Sequence, residues 1–126
     1  MQSEHSSIFR PDRMPLRLTF LVFSGASIMC VASAVDPLRA ANRVAGKSLF
    51  VWSIVSADGE PAITTSGLPV AVTGKFDPAA RCDVLVAVGG FGTRAGSSGT
   101  LPTAFRRAAR SARAVGGVEA GGWLLA

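Results

Sequence analysis

The pentapeptide Gly117-Val118-Glu119-Ala120-Gly121 has the skeleton Gly-x-nucleophile-x-Gly. In hydrolases that skeleton turns sharply from a strand into a helix and presents its central side chain at the carboxyl edge of a sheet. Small flanking residues permit the tight backbone. Here the centre is glutamate, where a hydrolase would carry serine or cysteine. A helix N-terminus following it favours an anion, so Glu119 is expected to be ionised. A carboxylate can attack as a nucleophile, but the resulting ester needs an activated water to break down. The sole histidine, His5, stands far off in a polar leader. No histidine base is at hand, which nearly excludes histidine-dependent catalysis. Two readings of Glu119 stay open: a carboxylate facing a ligand, or a surface residue at a helix N-terminus.

The other reactive side chains are sparse. Cys30 and Cys82 are too few for a disulfide framework, and no Cys-x-x-Cys or His-rich tract offers a metal site or implies a cofactor. Cys82 opens a buried strand and Cys30 has apolar neighbours on a helix, so both read as inert core thiols. Asp36, just before Pro37, reads as a helix cap. Trp52 and Trp123 read as packing groups. For a quaternary amine, Trp123 or Phe91 near Glu119 would supply a cation–π face.

These residues sit in a chain of 126 residues, enough for one domain. With 48% hydrophobic and 17% charged residues it is no disordered tail. The net charge of +5 favours polyanions. The basic groups are Arg10, Arg13 and Arg17; Arg39, Arg43 and Lys47; and Arg106, Arg107, Arg110 and Arg113. None is interleaved with the aromatics of a single-strand platform, and the last two groups read as solvated helix faces.

The elements that must position the site follow from periodicity. Leu18 to Val35 carries no charge, follows Arg17, and contains Ala32-Ser33-Ala34, as a secretory signal or a short membrane span would. Strand, turn and helix account for more of it. Leu18–Phe23 is β-branched and aromatic, Ser24-Gly25-Ala26-Ser27 breaks the run, and Ile28, Val31, Ala32, Val35 and Leu38 recur at helical spacing. On this reading residues 1–15 form a mobile leader and the chain is cytoplasmic, without a membrane anchor. Asp36-Pro37 predicts a break and a second helical segment from Pro37 to Ala45, ended by Gly46. Phe50–Ser56, Asp83–Val88 and Ala114–Val118 read as strands, with a hairpin around Gly67 and a helix carrying Leu101, Phe105, Ala108 and Ala112 on one face. Alternating strands and helices predict an α/β fold, a parallel sheet with helices on both faces. Its sites lie beyond the carboxyl ends of the strands. Trp123-Leu124-Leu125-Ala126 starts an apolar helix and stops, which reads as a C-terminally truncated domain or as a surface that a partner chain covers.

Together, Leu18–Phe23, the helix containing Ala34–Arg43, Val55-Ser56-Ala57-Asp58-Gly59, Ser66-Gly67-Leu68, Cys82–Val86 with Gly89-Gly90, and Gly117–Ala126 resemble the N-terminal half of a GlxA-type, AraC-family transcriptional regulator. The resemblance covers nearly everything from Leu16 to Ala126. It implies a flavodoxin-like, class I glutamine amidotransferase-like (PfpI-like) domain, incomplete here at residues 16–126, with the AraC-type helix-turn-helix module absent. Related enzymes carry a cysteine where Glu119 stands. The resemblance further implies that Asp36 takes the place of an acidic residue approaching the elbow, and that Gly89-Gly90 lend their backbone amides to the pocket. The function implied is a noncatalytic sensor of a small amine or amino-acid-like effector. Its ligand-binding residues would be Asp36, Gly89, Gly90, Phe91, Glu119, Ala120 and Trp123. The protein would be a homodimer touching DNA only through the absent module. The alternative is a PfpI-like hydrolase or amidotransferase-related enzyme.

Overall fold

The computed structural model describes residues 14–93 and 99–125. Most of the expected leader and the middle of the Gly92–Thr100 loop lie outside that range. The elements are β1 (Leu16–Val22), α1 (Ile28–Ala45), β2 (Phe50–Ser56), β3 (Ala62–Ile63), β4 (Pro69–Val70), β5 (Gly74–Lys75), β6 (Val84–Val88), α2 (Leu101–Ser111) and β7 (Ala114–Val118), followed by a 3₁₀ helix at Glu119–Leu125. Five strands make one parallel sheet in the order β5-β2-β1-β6-β7, and β3 and β4 pair as a separate antiparallel hairpin.

The central strand shows why the sequence folds this way. Alternate side chains of a strand point to opposite faces, so a run apolar at every position fits only a strand covered on both sides. In β1 and the residue after it, Leu21 and Phe23 join Leu85, Ala87, Phe105 and Ala108 in one core. Phe20 and Val22 join Ala26, Val31, Ala62, Val70 and Val88 in the other. Phe105 and Ala108, three apart on α2, are buried against the first core, while the exposed Arg106, Arg107 and Arg110 form the solvated face expected of them. Helix α1 lies on the second core through Val31, with Ile28, Cys30, Ala34, Val35 and Leu38 partly buried beside it. Trp52 packs there too.

Two local expectations fail. Asp36-Pro37 does not break the helix: α1 runs unbroken from Ile28 to Ala45 with Pro37 inside it. A proline costs a helix one hydrogen bond, here that to the carbonyl of Ser33. Ala32, Ser33, Asp36 and Pro37 are all exposed, so water can satisfy the freed group. Packing of Val31, Ala34, Val35 and Leu38 on both sides of Pro37, with Asn42 anchored to β2 beyond it, outweighs the local defect. Gly46 ends the helix as expected, with φ 68° and its N–H donating to the Arg43 carbonyl. The second failure is β5, two residues with no apolar signature, which pair beside β2. A further anchor carries no periodic signal. Asn42 Oδ1 accepts the N–H groups of Leu49 and Phe50, and its amide donates to the Phe50 carbonyl at 2.8 Å, tying α1 to the start of β2. Among the described residues, no helix is long and apolar enough to cross a membrane.

Phe105 is 1% exposed and stacks near Phe76 with ring centroids 6.4 Å apart. Phe105→Ala is expected to cost about 3–5 kcal/mol, by lost transfer energy and the cavity left behind. Urea unfolding measures it; a loss under about 1 kcal/mol would show that α2 does not close this core.

Candidate functional site

The strand order places a switch point between β1 and β6. From β1 the chain crosses to β2 on one side, while β6 and β7 extend the sheet on the other. Crevices at the carboxyl ends of strands beside such a point are where open α/β sheets bind ligands. Here that edge is formed by Phe23, whose N–H donates to the Val88 carbonyl at 3.0 Å, by Gly89-Gly90, and by the turn that leaves β7.

That turn is an elbow. Glu119 has φ 53°, the one non-glycine residue among those described with a positive φ. L-residues in this region strain their Cβ against the backbone. The strain is maintained by contacts that admit no side chain on either flank. A Cβ on Gly117 would fall 2.6 Å from the Gly122 nitrogen. On the buried Gly121 it would collide with the Ala87 carbonyl oxygen. Gly89 donates its N–H to the Val118 carbonyl at 3.2 Å, joining the end of β6 to the elbow. The Gly-x-Glu-x-Gly reading thus describes a real strand-to-helix turn, though the helix is a 3₁₀ one.

The side chain meeting Glu119 is Cys30. Its Sγ donates to Glu119 Oε2 at 3.7 Å, a weak bond from a weak donor. Asp36, expected to approach the elbow, does not fill that role. It lies six residues beyond Cys30, about 9 Å along a helix rising about 1.5 Å per residue. Its carboxylate takes Arg39 Nε at 2.7 Å and Nη2 at 3.0 Å. These bonds hold Asp36 below its ordinary pKa. It is an exposed partner in an i,i+3 ion pair, neither a cap nor an elbow group, and such pairs add little stability. It sits at the rim of a groove of about 610 Å³ between α1, β2 and β4, among Val31, Val35, Trp52 and Val70. Cys30, read from sequence as inert, is instead the elbow's neighbour. The signal that finds it is topological: it lies in the first turn of the helix leaving the central strand, at the switch point.

The paired glycines also differ from expectation. Gly89 N–H is bonded to Val118, and Gly90 N–H donates to Thr93 Oγ1 at 2.7 Å. Both amides are engaged, so they shape the crevice without offering donors to a ligand. Close approach explains the glycines: a Cβ on Gly90 would strike the Gly25 carbonyl oxygen. Phe91 is 83% exposed and Trp123 52% exposed at the same edge. Ala120 is half-buried and Glu119 itself exposed. The described elements therefore present the carboxylate on an open ledge, where water competes with a cation. Among the described residues, no cluster of three or more His, Cys, Asp or Glu side chains could hold a metal ion.

Cys82 is half-buried beside β6. Burial first, and then the Asp83 charge, push its thiol above the ordinary value, against a lowering hydrogen bond with Thr19. A raised folded pKa gives stability that is full below the unfolded thiol value, about 8.5, and lost as pH climbs through the folded one.

No family model matches the chain. It is 32% identical over 115 residues to the HTH-type transcriptional regulator GbdR of Pseudomonas aeruginosa, covering 91% of this chain and 31% of that protein. It is 32% identical over 111 residues to the HTH-type transcriptional regulator GlxA of Rhizobium meliloti, covering 87% and 34%. An AraC family transcriptional regulator from Pseudomonas putida superposes with TM-score 0.72 at 28% identity, covering 88% of this chain and 69% of that one. A ThiJ/PfpI family protein from Pseudomonas syringae superposes with TM-score 0.69 at 19% identity, covering 99% and 51%, and shares the fold alone. The sheet is thus the flavodoxin-like one of ThiJ/PfpI proteins. The chain spans about a third of the length of the curated relatives.

Two outcomes follow from this geometry. Glu119→Gly removes the strained Cβ and is expected to raise stability by up to about 1 kcal/mol; an unfolding midpoint lower than the parent's would show the elbow to be unstrained. Between pH 7 and 10 the urea midpoint should fall, and fall less in Cys82→Ala; parallel profiles would mean that this thiol titrates alike folded and unfolded.

Proposed function

We propose that this chain, homologous to HTH-type transcriptional regulators over about nine-tenths of its length, is the effector-sensing part of such a regulator, acting without catalysis. The observation that carries the reading is Glu119: a carboxylate held at a strained elbow beside the switch point, where a hydrolase would need a nucleophile. An exposed carboxylate at an edge that also carries the exposed Phe91 and Trp123 suits a small cation such as a quaternary amine or an amino acid's ammonium group. Glu119 and Ala120 would contact it, Phe91 and Trp123 would face it, and Gly89-Gly90 would form the floor. Asp36, tied to Arg39, is left out of this arrangement.

Because the ledge is open, cover must come from elsewhere. The relatives are about three times as long as the matched region, and we place the cover in the remaining chain or in a second protomer of a homodimer. Ligand binding there would bias the orientation of a separate DNA-binding module. On this reading residues 16–126 are sensing domain, residues 1–15 are leader, and the protein works in the cytoplasm.

The test titrates the chain with a panel of quaternary amines and free amino acids, read by calorimetry. Binding is expected from at least one, weakened more than tenfold by Glu119→Ala and less by Glu119→Asp. Unchanged affinity in Glu119→Ala rejects the elbow as the sensor site. One observation favours the second reading, a hydrolase: the Cys30 thiol stands 3.7 Å from the Glu119 carboxylate, and a carboxylate can orient or deprotonate a thiol. Iodoacetamide-sensitive ester or peptide hydrolysis that Cys30→Ser abolishes would establish that reading in place of the first.

A further inference from the structure

The opposite edge of the sheet, where β1, β6 and β7 begin, holds a second concentration of charge. A cavity of about 620 Å³ opens there, lined by Met14, Pro15 and Arg17 ahead of and in β1, Arg81, Cys82 and Asp83 ahead of β6, and by Ser111 at the end of α2 and Arg113 just before β7. Asp83 binds its walls together. Its carboxylate accepts Arg17 N–H at 2.8 Å, and its own N–H donates to the Arg17 carbonyl at 2.8 Å. Its carbonyl accepts the N–H groups of Arg113 at 2.7 Å and Ala114 at 3.1 Å. Backbone bonds of this kind make the cavity preformed, so a ligand would lose little energy in ordering it.

The charge balance inside is one-sided. Among the described residues, Arg17, Arg81 and Arg113, the last with a partner of its own, line the cavity with one carboxylate, Asp83. The described structure gives neither the Arg17 nor the Arg81 guanidinium a hydrogen-bond or ion-pair partner. Burial and Asp83 keep the Cys82 thiol protonated at neutral pH, so it adds no opposing charge. A guanidinium fork matches the oxygens of phosphate in a bidentate way. The hollow has the size of pockets that enclose small molecules, about 300–1,000 Å³, whereas contact with a DNA backbone calls for a basic stripe along a face. Met14 and Pro15 add an apolar wall on which the organic part of a ligand could rest.

We propose that this cavity binds a small phosphate-bearing anion, with Arg17 and Arg81 as its principal ligands, at the end of the sheet away from the elbow. Neither the homology nor the elbow geometry requires it. It would give the chain a second small-molecule input.

Inorganic pyrophosphate is the probe, titrated into the whole 126-residue chain at low ionic strength and followed by calorimetry. Saturable binding is expected, weakened at least about tenfold by Arg81→Ala and by Arg17→Ala, a loss of about 1.4 kcal/mol each. Both side chains are exposed, so neither replacement should disturb the fold, and circular dichroism verifies that. Asp83→Asn keeps an acceptor for Arg17 N–H while removing the negative charge. It should tighten binding several-fold, which a merely structural role for Asp83 would not produce. The proposal is overturned by the absence of saturable binding, by parental affinity in both arginine variants, or by duplex DNA binding that both arginine variants weaken and pyrophosphate does not displace.

Discussion

Everything at the carboxyl edge of the sheet depends on how closely the backbone leaving β7 approaches the end of β6. Gly121 lies where any side chain would strike the Ala87 carbonyl, and Gly89 gives its N–H to Val118. Two backbones this close leave one way out of the strand, with Glu119 forced to φ 53°. A residue in the left-handed region costs of order 1–3 kcal/mol. The surrounding packing has to supply that, and it does so through the cores on both faces of β1, β6 and β7. The position of the carboxylate is therefore set by the sheet, not by its own preferences.

The chemistry of the edge follows from which groups are already engaged. The Gly89 and Gly90 amides have partners within the protein. A crevice of this kind stabilises a developing oxyanion poorly, because catalysis by that route needs donors aimed at empty space. What remains outward-facing is an exposed carboxylate, one thiol, and two largely exposed aromatic rings. That set belongs to a chain whose homologues are named as regulators of transcription.

The two ends of the sheet carry opposite signs. The carboxyl edge presents Glu119, and the amino edge presents Arg17, Arg81 and Arg113. The arginines of α2 that face solvent are a separate matter, since Arg106, Arg107 and Arg110 lie on its exposed side. Grouping all late arginines as one solvated face, natural from their spacing, merges two environments. Arg113 is half-buried and lines the lower cavity because the chain between α2 and β7 folds under Asp83.

Four of the five sheet strands, the cover on both faces and the elbow are legible in the amino-acid sequence. Leu18–Phe23, Val84–Val88 and Ala114–Val118 are apolar or small at every position, and only strands buried on both faces or closely approached tolerate that. Gly117 and Gly121 announced a turn that no larger residue fits. Which residue of α1 meets Glu119 follows only from how the elements pack together. It depends on where the helix begins and how it is rotated on the sheet, and Pro37 misled because packing along α1 outweighed one lost hydrogen bond. Likewise, β5 and the lower arginine cavity have no local signature. The cavity's residues are distant in sequence and meet only because parallel strands bring several chain segments to one edge, and β5 is two polar-context residues that pair beside β2.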